Sequence, residues 1–171
     1  MQQISGRNII IIDNLLTADE CQEIIKERDV SLMHIERGAG VAIYDRGSFQ
    51  SPVWAAKLQQ RLRKYLPSSI DPQLNVSFRF SKYVDGGYFG IHRDAVSQDT
   101  KGRRSFMTVN IFLNEGFNGG ETEFIDENGR VVVSAKPCPG RAAVFDQQIL
   151  HRGNLVTGKI PKYLLRTDIM Q

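Results

Sequence analysis

His92-Arg93-Asp94 sets an imidazole and a carboxylate two residues apart. In an extended strand, residues i and i+2 point to one face, so both side chains can grip a single ion from the same side. A third ligand must come from elsewhere in the chain. The candidate is His151, in the stretch Phe145-Asp146-Gln147-Gln148-Ile149-Leu150-His151-Arg152-Gly153. Two histidines and one carboxylate, with the remaining coordination positions open, form the facial arrangement suited to non-haem Fe(II) and its chemistry with dioxygen. The sequence holds three histidines, and this reading uses two. His34 has no motif around it and is expected to be structural or exposed.

These ligands need a frame of strands, and the chain approaches one through two helices. Asn8 to Ile12 is a β-branched run without helical period, which predicts a buried strand. Thr17-Ala18-Asp19-Glu20 is a capping box, with Leu16 and Cys21 placed to form a hydrophobic staple. A helix from about Ala18 to Arg28 should follow, burying Cys21, Ile24 and Ile25. Val30 to Tyr44 reads as two weak strands around Gly38-Ala39-Gly40. Ser51-Pro52 then opens a second helix, serine as cap and proline at the first helical position. Its expected buried stripe is Val53, Trp54, Leu58, Leu62 and Leu66, its outer face Lys57, Arg61, Arg63 and Lys64, and its end Pro67.

From Leu74 the pattern changes to strands. Val76 to Tyr83 alternates, putting Phe78, Phe80 and Lys82 on the side that should meet the helices and Arg79, Ser81 and Tyr83 on the enclosed side. Further strands are predicted at Phe89 to His92, Ser105 to Asn114, Glu121 to Ile125, Arg130 to Ser134, Ala142 to Asp146 and Tyr163 to Met170. Gly119-Gly120, Asn128-Gly129 and Pro139-Gly140 are turn markers between them. Helices followed by many short strands imply a sheet rolled into a barrel or sandwich, buttressed by helices on one side.

The 171 residues suit one core, so a single domain over 1–171 is expected, with helical support over about 1–73 and a catalytic barrel over about 74–171. Apolar residues at 41% and charged residues at 24% are ordinary for a globular chain. The apolar runs are too short and interrupted to span a bilayer, and the N-terminal residues show no apolar signal region, which points to a cytoplasmic protein. Cys21 and Cys138 fit no disulfide framework or paired metal spacing and are expected to be free thiols. A net charge of +3 is too small to signal nucleic-acid binding.

Five ordered blocks carry a family resemblance. They are Tyr83-Val84-Asp85-Gly86-Gly87-Tyr88-Phe89-Gly90-Ile91-His92-Arg93-Asp94; Arg104 through Thr108 to Phe112-Leu113-Asn114-Glu115-Gly116-Phe117-Asn118-Gly119-Gly120-Glu121-Thr122-Glu123-Phe124; Pro139-Gly140-Arg141-Ala142-Ala143-Val144-Phe145; His151-Arg152-Gly153; and Lys162-Tyr163-Leu164-Leu165-Arg166-Thr167-Asp168. A lone His-x-Asp arises often by chance, whereas five blocks in order do not. Together they resemble the prolyl 4-hydroxylase-like Fe(II)- and 2-oxoglutarate-dependent dioxygenases.

The resemblance implies a double-stranded β-helix, or jelly roll, with His92, Asp94 and His151 as iron ligands. It also implies that Lys162 meets the distal carboxylate of 2-oxoglutarate, since a buried carboxylate needs a cation. Tyr83 matches a tyrosine lining that pocket, and Arg79 shares its inward face. Arg166 is open between two roles, a contact near the metal-bound end of the cosubstrate and an ion pair in the wall. Two departures are visible. Phe112 stands where many relatives have a tyrosine, and the Gly153–Lys162 loop contains Pro161 and differs by a residue from the commonest spacing.

The implied reaction couples decarboxylation of 2-oxoglutarate by dioxygen to hydroxylation of an unactivated C–H bond, with ascorbate as an accessory reductant. Asp94 favours hydroxylation, because halogenating relatives lack this carboxylate. A peptidyl proline or other protein side chain is the leading substrate, ahead of a free amino acid or small metabolite. Nucleic-acid demethylation ranks lower, because the Arg-x-Asn-x5-Arg signature fails at Ile160, although Lys101, Arg103, Arg104 and Arg152 are basic. A non-catalytic oxygen-sensing or binding module is the remaining class. The polar Ala95–Arg104 segment is expected to be a lid or an ordinary connection.

Overall fold

The computed structural model describes residues 2–4, 6–30, 32–37 and 42–171. In chain order the described elements are β1 (Gln2–Ile4), β2 (Arg7–Ile12), α1 (Ala18–Arg28), β3 (Met33–Arg37), β4 (Ala42–Gln50), α2 (Pro52–Leu62), β5 (Gln73–Leu74), β6 (Ser77–Tyr83), β7 (Tyr88–His92) and β8 (Ser105–Phe112). They continue with β9 (Asn118–Gly119), β10 (Thr122–Ile125), β11 (Val131–Ala135), β12 (Ala142–Asp146), β13 (Leu150–Gly153), β14 (Val156–Thr157) and β15 (Lys162–Met170).

One antiparallel path runs β1-β2-β12-β8-β15-β6-β4-β7-β13-β10-β11, with β3 added to β4, β5 to β15, and a separate β9–β14 ribbon. The sheet rolls into a double-stranded β-helix, mainly β with supporting α. Strands β8, β12 and β15 are buried on both faces, so their sequences read as nearly continuous apolar runs instead of clean alternation. Their outer residues Val109, Ile111, Val144, Leu165 and Ile169 join Phe78 and Phe80 in the core under the helices. Their inner residues Phe112, Phe145 and Leu164 join Tyr44, Tyr83 and Phe124 in a second cluster inside the roll.

Helix α1 begins as the capping box requires: Thr17 Oγ1 accepts from the Glu20 amide at 3.2 Å, and Glu20 Oε2 accepts from the Thr17 amide at 2.9 Å. Leu16 and Cys21 are buried in the same core cluster. Helix α2 seats Leu58 and Leu62 at full burial, about 1.5–3 kcal/mol each in transfer free energy.

Several expectations need correction here. Val53 is 77% exposed, because the face of α2 that meets the sheet is set by Ala55, Leu58 and Leu62. Arg61 does not look outward: it bridges to α1, donating to Glu20 Oε1 and Oε2 and to the Leu15 carbonyl. The helix ends at Leu62, and Leu66 is reached through hydrogen-bonded turns before Pro67. The strands expected before residue 73 join the roll itself. β2 pairs with β12, and β4 lies between β6 and β7, running to Gln50, well past the expected end at Tyr44. Gly38-Ala39-Gly40 lies outside the described residues. Cys21 and Cys138 are free, and burial pushes the Cys21 thiol up to about 11.

Candidate metal and cosubstrate site

Sheet register brings the two distant histidines together. β7 and β13 are antiparallel neighbours, and His92 is the direct cross-strand partner of His151. Their ring centroids are 4.2 Å apart. Asp94 lies just past the end of β7, where its amide donates to the Gln147 carbonyl and so keeps the extended course for two more residues. Its carboxylate therefore falls on the same side as His92, as the i, i+2 spacing requires.

His92 Nε2 lies 3.6 Å from Asp94 Oδ1, and His151 Nε2 lies 3.7 Å from Asp94 Oδ2. The three donor atoms are all within 4.8 Å of one another. Each Nδ1 faces a backbone carbonyl, His92 that of Gly90 at 2.8 Å and His151 that of Ile149 at 3.0 Å. A carbonyl only accepts, so each Nδ1 carries the proton and each Nε2 presents its lone pair to the shared space. Burial, helped by the neighbouring His92 and Arg166 and opposed by Asp94, lowers His151 to about 4, keeping its ring neutral at ordinary pH. Burial works against ionised Asp94, but His92, Arg166, His151 and Thr108 around it hold the carboxyl well below the usual range. Two imidazoles that face the shared space through Nε2 and one ionised carboxylate, converging from one side, fit a divalent transition metal with open positions.

The rest of the constellation is set by β8 and β15. Thr108 Oγ1 donates to Asp94 Oδ2 at 2.6 Å. Arg166 Nη1 donates to Asp94 Oδ1, while its Nε and Nη2 reach Asp168 Oδ1 at 3.3 and 3.2 Å. Of the two roles left open for Arg166, the structure displays the ion pair in the wall.

Lys162, four residues earlier on β15, is 1% exposed, with its stem across Gly120 and its Nζ over the rings of Tyr83 (4.9 Å) and Phe112 (5.4 Å). The Nζ donates to the Gly120 carbonyl at 2.7 Å and has no carboxylate within ion-pair distance among the described residues. Burial lowers it to about 7. A buried ammonium without an anion is costly, and this one faces the same cleft as the triad, where a dicarboxylic ligand would supply the missing charge. Gly120 has φ +69°, and a Cβ there would press on Lys162 Cδ and Phe117, so glycine serves the lysine as well as the turn.

The cleft, about 240 Å³, is also lined by Tyr44, Arg46, Arg79, Ser81, Tyr83 and Asn110. Thr108, Asn110 and Arg46 were not singled out from the sequence. For Thr108 and Asn110 the signal was polarity at alternating inward positions of an otherwise apolar strand, β8. Asn110 is 6% exposed, and its Oδ1 has no hydrogen-bond partner. His34 is exposed, pairs with Asp45 at 2.8 Å and is not among the residues that line the cleft. Ala95–Arg104 forms a hydrogen-bonded turn whose base is clamped by reciprocal contacts between Ser97 and Ser105.

Fold and site together define an oxygenase class, and the comparisons agree. The family model for the 2OG-Fe(II) oxygenase superfamily matches residues 78–167, and the chain belongs to that family. Fe(II) and 2-oxoglutarate are the family's metal and cosubstrate. Over 149 residues the chain is 28% identical to a protein of Acanthamoeba polyphaga mimivirus named "Putative prolyl 4-hydroxylase"; the match takes in 79% of this chain but only 59% of that protein's length. The fold is shared with the viral collagen prolyl hydroxylase of Paramecium bursaria Chlorella virus-1, solved as a 2-oxoglutarate complex: TM-score 0.68, 22% identity, 96% of this chain and 97% of that one. It is shared equally with a prolyl-4-hydroxylase of Pseudomonas putida: TM-score 0.70, 16% identity, 98% and 94% coverage. No described helix is long and apolar enough to cross a membrane.

Proposed function

We propose that this chain is an Fe(II)- and 2-oxoglutarate-dependent hydroxylase acting on a peptidyl proline or another protein side chain. The observation that carries the reading is the convergence of one ligand atom each from His92, Asp94 and His151 within 4.8 Å of one another, in the cleft that also holds Lys162, which has no ion-pair partner among the described residues. His92, Asp94 and His151 would hold the metal, and Lys162 would take the distal carboxylate of 2-oxoglutarate. Bound Fe(II) supplies the redox chemistry that couples decarboxylation of 2-oxoglutarate by dioxygen to hydroxylation of a C–H bond. Arg166 and Thr108 fix the orientation of the Asp94 carboxylate. Tyr83, stacked on Tyr44 at 5.2 Å, walls the cosubstrate and shields it from water. Burial holds the Tyr83 phenol far above its ordinary value, so it stays neutral there. The relatives named as prolyl hydroxylases support proline as the first substrate to try.

Nucleic acid is a poorer fit. Arg103 and Arg152, two of the basic residues that would favour it, are held by Asp99 and Glu123 at 2.7 and 2.6 Å. The test is formation of succinate from 2-oxoglutarate, dependent on added Fe(II), together with a mass gain of one oxygen atom in candidate peptides. Asp94→Ala abolishes both, and His34→Ala, outside the cleft lining, retains both. Wild-type protein that binds no Fe(II) and forms no succinate would defeat the proposal.

A further inference from the structure

Lys162 and Arg79 lie at opposite ends of the cleft. Lys162 pairs with Tyr83 across β15 and β6, and Arg166 pairs with Arg79 four residues further on, about 13 Å along the strands. The carbon chain of 2-oxoglutarate spans only about 5 Å between its carboxyl carbons, from bond lengths near 1.5 Å. A cosubstrate anchored at Lys162 therefore leaves Arg79 for another partner.

Arg79 has company. Arg46 on β4 is the cross-strand partner of Ser81, which makes it the diagonal neighbour of Arg79 on the inward face. Arg46, Arg79 and Arg166 thus form a row of guanidinium groups across β4, β6 and β15, and all three line the cleft. Like charges directly opposite one another destabilise a sheet unless anions intervene.

The protein's own anions are committed elsewhere. Asp94 is taken by Arg166 and Thr108. Asp168 accepts from Arg166, Gln147 and Ser97, and it comes no nearer to Arg79 than 3.8 Å. No carboxylate oxygen lies within 4 Å of Arg46 among the described residues, while the Arg46 charge itself works against Arg79. Among the described residues Arg46 has no carboxylate within reach and Arg79 only Asp168 at 3.8 Å, a carboxylate it shares with Arg166, so the pair together can take a further carboxylate from outside.

We propose that Arg46 and Arg79 form a substrate subsite that binds a carboxylate, so that the residue hydroxylated carries an acidic group or lies beside one. This rests on the hydroxylase reading above and narrows its substrate class. A cleft of about 240 Å³, already near the lower end for small-molecule sites, must also hold the cosubstrate. What remains suits one amino-acid residue, not a nucleotide. The carboxylate has two sources, the α-carboxylate of a free amino acid or the side chain of Asp or Glu in a peptide.

The test loads the full chain with Mn(II) and 2-oxoglutarate, so that binding is read without turnover. Two matched sets are titrated: L-amino acids against their α-amides, and acetylated, amidated tripeptides with Glu or Gln next to proline. In at least one set the acid binds tenfold or more tightly than its amide, and that set identifies the source. Arg46→Gln and Arg79→Gln bring the acid to the level of its amide, and Arg79→Lys restores part of the difference. Binding of 2-oxoglutarate, which Lys162→Met abolishes, does not follow the same loss. Equal or undetectable binding of acids and amides by protein that has taken up Mn(II) and 2-oxoglutarate overturns the subsite and spares the hydroxylase. Failure to take up Mn(II) and 2-oxoglutarate overturns both.

Discussion

Arg166 donates from Nη1 to Oδ1 of Asp94, 72 residues earlier in the chain, and so grips the carboxylate that would bind the metal. The guanidinium is itself held by Asp168. This chain of contacts fixes the orientation of Asp94 before any metal arrives. Groups that orient a ligand in this way are commonly worth 10–100-fold in metal affinity. Arg166→Leu is therefore expected to weaken Mn(II) or Fe(II) binding by about that factor while leaving the fold intact in far-ultraviolet circular dichroism. Equal metal affinity in the variant would show that Asp94 needs no such support.

Lys162 gives a pH dependence whose sign can be worked out. Its folded value of about 7 is below the ordinary 10.5, with burial as the cause, so the unfolded chain binds more protons between those values. Metal-free and cosubstrate-free protein should gain stability as pH rises from about 7 toward 10, by on the order of 3 kcal/mol from this residue. Lys162→Met should remove that rise and be more stable than wild type near pH 7, while losing 2-oxoglutarate binding. The bound dianion restores the charge, so binding near pH 8 should take up close to one proton. Calorimetry in buffers of different ionisation heat measures that uptake, and a value of zero would mean that Lys162 does not meet the carboxylate.

What the sequence made readable follows from periodicity and caps. The α1 boundaries, Ser51 as the α2 cap, and the strand at Ala142–Asp146 were all visible because local chemistry decides them. The inward face of β6, Arg79, Ser81 and Tyr83, was likewise legible from alternation. β4 was underestimated because it carries Asp45, Arg46 and Gly47 and draws its place from β6 and β7 on either side, which no local pattern displays. The convergence of His92, Asp94 and His151 could be suspected from residue types, but the His92–His151 cross-strand register exists only in the sheet. The roles of Asn110 and Arg46 were hidden for the same reason: whether a polar strand residue faces partners or an open cleft depends on closure of the roll.

Glu20 joins the two helices. It closes the α1 capping box, accepts both Arg61 nitrogens and contacts Lys57. The Arg61 hydrogen bonds, opposed by burial and helped by Lys57 and Thr17, lower its carboxyl to about 2. The stabilisation is present above the ordinary carboxylate value of 4.5 and should be lost as pH falls from there toward about 2. Glu20→Gln should cost about 1–2 kcal/mol at pH 7, from a weakened cap and a lost ion-pair network, and little once the pH falls below about 2. Urea unfolding at both pH values separates this from a packing defect, which would cost the same at each.

Asn110 offers a test of cosubstrate placement that is independent of catalysis. It faces inward between Thr108, which touches Asp94, and Phe112, which lies under Lys162, so its carboxamide sits along the line from metal ligand to distal cation. Phe112 lacks the phenol that a tyrosine would place there, which leaves Asn110 as the polar group on that strand able to meet 2-oxoglutarate. Its Nδ2 can donate to an oxygen of 2-oxoglutarate, while its Oδ1, buried without a partner, costs the fold about 1–3 kcal/mol. Asn110→Leu should therefore leave the ligand-free protein as stable as wild type or more so, and weaken 2-oxoglutarate binding about tenfold, the worth of one hydrogen bond to a charged group. The melting temperature should hold or rise without ligand, and the increment produced by Mn(II) and 2-oxoglutarate should shrink. A residue serving only the fold would show the reverse, a lower melting temperature with an unchanged ligand increment.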